Sequence, residues 1–176
     1  KTRQRRLVSV SDNLIAWLPD HIPAGEDTSI VHGDYRLDNM MFHPTEPRIL
    51  ALLDWELSTL GHPLADFSYH CMTWHMTAGE TTRGLAGLDL GALGIPTEAE
   101  YLQTYLQRTG RQQAVSADDW RYYLVFNMFR LAGILQGIMK RALQGNASSA
   151  QALETGRAAR PLAELAWAQV ERLKLS

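Results

Sequence analysis

Ile30-Val31-His32-Gly33-Asp34-Tyr35-Arg36-Leu37-Asp38-Asn39 is the stretch on which the fold and the chemistry of this chain turn. The β-branched run Ser29 to His32 is ended by Gly33, so it reads as a short strand. An acid follows at once, and an amide closes the stretch five residues later. A second stretch, Leu52-Leu53-Asp54-Trp55-Glu56, completes it. From Arg48 onward the chain is apolar up to Asp54, a pattern that predicts a buried strand ending on an acid. Asn39 to His43 reads as another short strand, and Pro44 and Pro47 bracket a turn, so the two strands around that turn predict a hairpin. Two acids and an amide are thereby placed at the ends of short apolar strands.

Such a set suits phosphoryl transfer, which asks little covalent chemistry of a protein. The reaction needs a group that orients and deprotonates the attacking hydroxyl, and metal ions that neutralise charge on the phosphates. Asp34 can do the first. The amide oxygen of Asn39 and the carboxylate of Asp54 are oxygen donors of the kind that Mg²⁺, a hard cation, prefers. Asp38 reads as a loop cap, and Glu56 as either a substrate-facing acid or a salt-bridge partner.

Outward from this centre the chain is helical. Leu14, Ile15 and Leu18 recur at helical spacing and predict a helix from about Val8 to Leu18, stopped by Pro19. His21 to Asp27 is a loop. Gly61-His62-Pro63 opens a helix with Pro63 in its first turn and Leu64, Phe67, Cys71 and Trp74 on one face. Thr77 to Gly94 is glycine-rich and without period, a long loop. Thr97 and Glu100 have the spacing of a capping box, for a helix running to about Thr109 and ended by Gly110. Ser116 caps a long helix whose apolar stripe runs through Trp120, Tyr123, Leu124, Met128, Leu131, Leu135, Ile138 and Met139, ending near Gly145. Tyr122, Tyr123, Arg130, Gln136, Lys140 and Arg141 are its polar positions. They read as a solvated face with snorkelling stems or as the wall of an acceptor pocket, in which Arg130 would meet an anionic substrate. A last helix from about Ser148 to Leu173 carries Pro161, which predicts a kink or a division.

The chain has 176 residues, an apolar fraction of 45% and a net charge of −2. That composition suits one domain over residues 1–176 with a sizeable core, and its balanced charge gives no sign of a nucleic-acid partner. The basic segment Lys1–Arg6 reads as a solvated helix start. The single cysteine, Cys71, excludes an internal disulfide and reads as a small buried hydrophobe. No apolar run reaches the roughly 20 residues of a membrane span and no signal peptide is visible, so a cytoplasmic location is expected. His62, Asp66, His70, Cys71 and His75 crowd one segment, but Phe67 and Trp74 need its buried face, which argues against a zinc site.

His32-x-Asp34 with Asn39 five residues after the acid resembles the catalytic loop of the aminoglycoside phosphotransferase and choline kinase families, small-molecule kinases that share the protein-kinase fold. Asp54 in Leu-Leu-Asp-Trp-Glu resembles their metal-binding acid. Gly61-His62-Pro63-Leu64-Ala65-Asp66 resembles a recurrent segment whose Asp supports the catalytic loop. The wording is most similar to the subgroup associated with acyl-CoA dehydrogenases. The resemblance covers roughly residues 7 to 145. It implies an α+β, mostly helical fold, the C-terminal lobe of a protein-kinase-like small-molecule kinase, with a short β-hairpin carrying the catalytic loop.

It further implies Asp34 as the base, and Asn39 and Asp54 as holders of Mg²⁺ and, through it, of ATP or GTP. Arg36 becomes a candidate for stabilising charge on the transferred phosphoryl group. His32 ties the loop to the core, and Asp66 stands behind it. The implied partner is a small molecule with a hydroxyl, an acyl-CoA derivative being one candidate. The few acids of Thr77–Asp119 (Glu80, Asp89, Glu98, Glu100, Asp118, Asp119) argue against a polycationic aminoglycoside. Only 28 residues precede Ser29, which leaves no room for the glycine-rich loop and strand lysine that cover the nucleotide in this fold. The alternative is therefore a catalytically inactive lobe kept as a binding module.

Overall fold

The computed structural model describes residues 2–25, 27–78, 84–111, 115–146 and 151–174, and residues 2–9 as backbone only. The side chains of Lys1–Arg6, the acid Glu80 and the expected helix start at Ser148 lie outside these.

Helix α1 (Thr2–Asp20) carries Pro19 inside its last turn rather than ending before it. The Nδ1 of His21 bonds the Trp17 carbonyl at 2.8 Å, closing the helix with a side chain. Leu14 and Leu18 face the core while Ile15 is exposed. Strand β1 (Ser29–Val31) follows, but it does not join the hairpin. It pairs antiparallel with β4 (Thr59–Gly61), with Ser29 opposite Gly61 and Val31 opposite Thr59. The expected hairpin is β2 (Met40–Phe42) against β3 (Ile49–Leu52), with a register shift between Met41 and Phe42. The described residues thus form two separate two-stranded sheets. The loop 32–39 runs from the first to the second, so it leads into the hairpin rather than capping it.

The expected burial of 48–54 is corrected. Ile49, Leu50 and Leu53 are each more than 40% exposed, because no described element covers that face of the hairpin.

Helix α2 (Pro63–Cys71) opens as the sequence indicates, with His62 accepting the Leu64 N–H and Pro63 in the first turn. It passes into a 3-10 turn over Met72–Trp74. Helix α3 (Glu98–Arg108) has both bonds of the capping box between Thr97 and Glu100. Helix α4 (Ala117–Leu143) is capped by the Ser116 hydroxyl on the Asp119 N–H. The C-terminal stretch is divided into α5 (Ala152–Arg157) and α6 (Ala159–Leu173). The division falls at Ala158, where the sequence indicates, because Pro161 has no N–H to bond the Arg157 carbonyl four residues back and lies in the first turn of the new helix. A Cβ on Gly156 would lie 2.9 Å from the Met139 Cα, so the two backbones meet directly.

The core lies among α1, α2, α4 and α6. Leu14, Phe67, Cys71, Val125, Met128, Ala166 and Val170 are all buried there. Asn127, fully buried on α4, donates to the Ala65 carbonyl and to the Ser68 hydroxyl at 2.8 Å each, fixing α2 against α4. The consequence is that α2, whose Asp66 bonds the Gly33 N–H just before Asp34, is tied to α4.

Candidate active site

His32 is buried and its ring joins two segments. Its Nδ1 accepts the Asp34 N–H at 3.3 Å, and its Nε2 meets the Leu53 carbonyl at 2.8 Å. An Nδ1 that accepts leaves the proton on Nε2, so the ring donates to Leu53. This one side chain spaces the residue before Asp54 from the Asp34 loop.

Asp66 accepts the N–H of His32 and, at 2.8 Å, the N–H of Gly33. Both carboxylate oxygens are spent on backbone donors, so Asp66 supports the loop and does not react. Gly33 has φ 82°, and a Cβ there would lie 2.4 Å from the Leu57 carbonyl oxygen. Only glycine fits both the left-handed turn and the close approach.

Asp34 and Asn39 are both half-buried. The Asn39 Nδ2 donates to the Asp34 carbonyl and to its Oδ2, at 2.9 Å each. With both amide protons committed to Asp34, the Asn39 Oδ1 is the oxygen left for a cation. Leu53 N–H donates to the Asn39 carbonyl at 2.8 Å, which sets the Asp54 turn beside Asn39. Asp54 is exposed and is the one non-glycine residue of positive φ among the described residues, at 65°. Held left-handed backbone in a non-glycine residue is the kind of strain that collects at working sites. Trp55 and Leu57 continue from it in a 3-10 turn, with the Trp55 ring 4.7 Å from that of His32. Arg36 is ion-paired with Asp38.

Two residues that sequence reasoning assigned otherwise, or passed over, complete the arrangement. Arg130 was expected on a solvated face or against a substrate. Instead its Nη2 donates to the Gly33 carbonyl at 2.6 Å, and its guanidinium lies 4.6 Å from the centre of the Tyr69 ring. Tyr69 is buried on α2. Burial first, then the Asp34 charge and a hydrogen bond with it, push the Tyr69 phenol up, which keeps it a protonated donor beside the carboxylate. One signal could have found it. Asp66 and Tyr69 are three apart on one helix, so a Tyr69 side chain shares the face that reaches the loop.

The other candidates of the helical half are placed as follows. Tyr123 is buried and stacks on His62 at 4.8 Å. Tyr122 lines a cavity of about 380 Å³ with Trp17, His21, Asp118 and Asp119. Gln136 and Lys140 line an open groove of about 610 Å³ along α4 with Gly133 and Gly137. Neither concavity is lined by Asp34, Asn39 or Asp54.

The histidine-rich segment around α2 is dispersed. His62 caps the helix. The ring of His70 sits 5.7 Å from those of Tyr35 and Tyr101, and burial lowers its pKa. Cys71 is fully buried, and burial pushes its thiol well above the ordinary range. His75 bonds Glu98 and Gln169. Among the described residues no three His, Cys, Asp or Glu side chains are gathered to hold a metal by themselves, and no helix is long and apolar enough to cross a membrane.

Comparison with known proteins adds family and fold. Residues 2–126 match the phosphotransferase enzyme family. Acyl-CoA dehydrogenase family member 10 of Mus musculus is 45% identical over 172 residues, covering 94% of this chain and 16% of its own length. Acyl-CoA dehydrogenase family member 11 of Homo sapiens is 35% identical over 160 residues, covering 89% and 20%. The crystal structure of a candidate aminoglycoside phosphotransferase from Ralstonia eutropha superposes with a TM-score of 0.86 at 59% identity, covering 97% of this chain and 53% of that one. The chain therefore spans about a fifth of the curated relatives' length and about half of that solved chain.

Proposed function

The chain belongs to the phosphotransferase enzyme family, and we propose that it is the catalytic half of a small-molecule kinase, which moves the γ-phosphoryl group of ATP or GTP onto a hydroxyl. The observation that carries this reading is the tie between Asp34 and Asn39, with the strained Asp54 turn bonded alongside.

Asp34 acts as the base. Its Oδ2 is held by Asn39, and an ionised carboxylate keeps further lone pairs for an acceptor hydroxyl. The proton of that hydroxyl passes to Asp34 as the oxygen attacks phosphorus. Arg36 stands two residues on, available to stabilise charge on the transferred group. The Asn39 Oδ1 and the Asp54 carboxylate would hold Mg²⁺. Two oxygen donors on the protein suit an ion that completes its shell with phosphate oxygens and water. Bound there, Mg²⁺ would supply charge neutralisation on the phosphates.

An acyl-CoA derivative bearing a hydroxyl is the acceptor we favour. The relatives named for acyl-CoA dehydrogenases point that way, and so do the acids of the helical half. Glu98 bonds His75 and Trp120, Glu100 is spent on its capping box, and Asp89 holds the Ala92 N–H. None of these is aimed at the loop as a polycation would require.

The test is transfer from Mg²⁺·ATP or Mg²⁺·GTP by the intact protein to a panel of hydroxylated metabolites, acyl-CoA derivatives and aminoglycosides, with Asp34→Asn and Asp54→Asn. Asp34→Asn should lower kcat by about 10²–10⁴. Undiminished transfer by that variant would remove Asp34 as base. Absence of any thermal shift with nucleotide and metal would favour the inactive binding module instead.

A further inference from the structure

We propose that Arg130 is a positioning residue for the base. It anchors the Gly33–Asp34 peptide to α4 and so sets the direction in which the Asp34 carboxylate points. The catalytic part of this role rests on the kinase reading above, whereas the anchoring does not.

The peptide between Gly33 and Asp34 is planar, so fixing its two polar ends fixes the whole unit. Its carbonyl accepts from Arg130 at 2.6 Å, and its N–H donates to the His32 Nδ1 at 3.3 Å. The peptide before it is held by Asp66 on the Gly33 N–H at 2.8 Å. The peptide after it is held by the Asn39 Nδ2 on the Asp34 carbonyl at 2.9 Å. With a pinned plane on each side, both backbone torsions of Asp34 are determined, and its Cα–Cβ bond has one direction. Three of the four anchors come from the loop itself or from Asp66 behind it. Arg130 alone comes from α4, 97 residues away along the chain, and α4 is the element bound to α2 through the fully buried Asn127.

The guanidinium is also built into place. It lies over the ring of the buried Tyr69, whose phenol faces the same carboxylate that Arg130 orients through the backbone. Its Nε is enclosed without a protein partner, so the group gives up solvation to sit there. A charge-assisted bond to a carbonyl is among the stronger single hydrogen bonds, and a planar fork loses less freedom in making it than a lysine does. Its Nη2 is spent on the Gly33 carbonyl, so the side chain acts on Asp34 through the backbone.

The test compares Arg130→Met and Arg130→Lys with wild type, on the intact protein, by two measurements. The first is hydrogen exchange resolved to residues 32–36. The Met variant should lose protection at Gly33 and Asp34 while the amides of α2 and α4 keep theirs. The second is the steady-state kinetics of transfer, with kcat and KM read separately. The Met variant should lower kcat about 100-fold, the cost of roughly an ångström of misplacement, with KM for nucleotide unchanged. Lysine should recover part of each. Unchanged exchange at 32–36, or a kcat that falls only by the unfolded fraction, would overturn the proposal. Lost protection in a protein whose wild type transfers phosphate to nothing would retain the anchor and overturn the kinase reading.

Discussion

Replacing Gly33 with alanine should break the site at its narrowest point. The added Cβ would stand 2.4 Å from the Leu57 carbonyl oxygen, where ordinary carbon–oxygen contact needs about 3.3 Å. One of the two segments must retreat by roughly 0.9 Å, the difference between those distances. The same alanine must hold φ near 82°, which costs about 1–2 kcal/mol for a residue with a Cβ. Displacing packed backbone adds about 1–3 kcal/mol. A middle value of about 3 kcal/mol corresponds to a fall of roughly 6–12 °C in Tm for a chain of this size. The displacement also has a direction. Leu57 closes the 3-10 turn that follows Asp54, so the methyl group pushes the Asp54 turn away from the Asp34 loop. Separation near an ångström between two halves of a reacting site costs about 100-fold in rate. Thermal unfolding followed by circular dichroism reads the first effect, and kcat of the intact protein below the new Tm reads the second. An alanine variant with wild-type Tm would refute the close approach. One that lost stability but kept its kcat would refute the idea that the two loops must stay in contact to work.

Asp66→Asn should cost about 1.5–3 kcal/mol in urea unfolding, because a neutral amide can accept from only one of the two N–H groups that Asp66 now serves with charge. An unchanged midpoint would count against its supporting role. Gly156→Ala should destabilise by about 1–3 kcal/mol, since its Cβ would meet Met139 at 2.7 Å. A crystal structure should show α5 lifted from α4, and a neutral result would refute the close approach of the two backbones. Stability should also fall as the medium is acidified below about pH 6.5, the ordinary histidine pKa. Burial lowers the pKa of His70 in the folded chain, so below that pH the unfolded chain binds more protons and folding stability rises with pH through the window. His70→Gln should flatten this slope, and an unaltered slope would assign the effect elsewhere.

What could be read from the sequence divides by the distance over which each signal acts. The caps of α3 and α4, the proline opening of α2 and the Asp34–Asn39 spacing are encoded within a few residues, and each lies where the pattern put it. Strand β4 was not legible. Thr59-Leu60-Gly61 is three residues long, and it is a strand only because β1, some thirty residues earlier, offers it a partner. The apolar run 48–54 looked buried because hydrophobicity records that a face seeks cover, not whether this chain supplies it.

Arg130 is the instructive case. Periodicity tells which face of α4 turns inward, and Asn127 and Arg130, three apart, share a face. A cation on the flank of a buried face must find acceptors or carry a large desolvation cost. That requirement was readable, and it favours a fixed partner over a solvated stem. The identity of the partner was not, because the Gly33 carbonyl becomes available only when the glycine turn points it at α4. Backbone acceptors carry no sequence signal of their own. The clearest sequence motif in the chain is therefore held from the far half of the molecule by a contact that no motif describes.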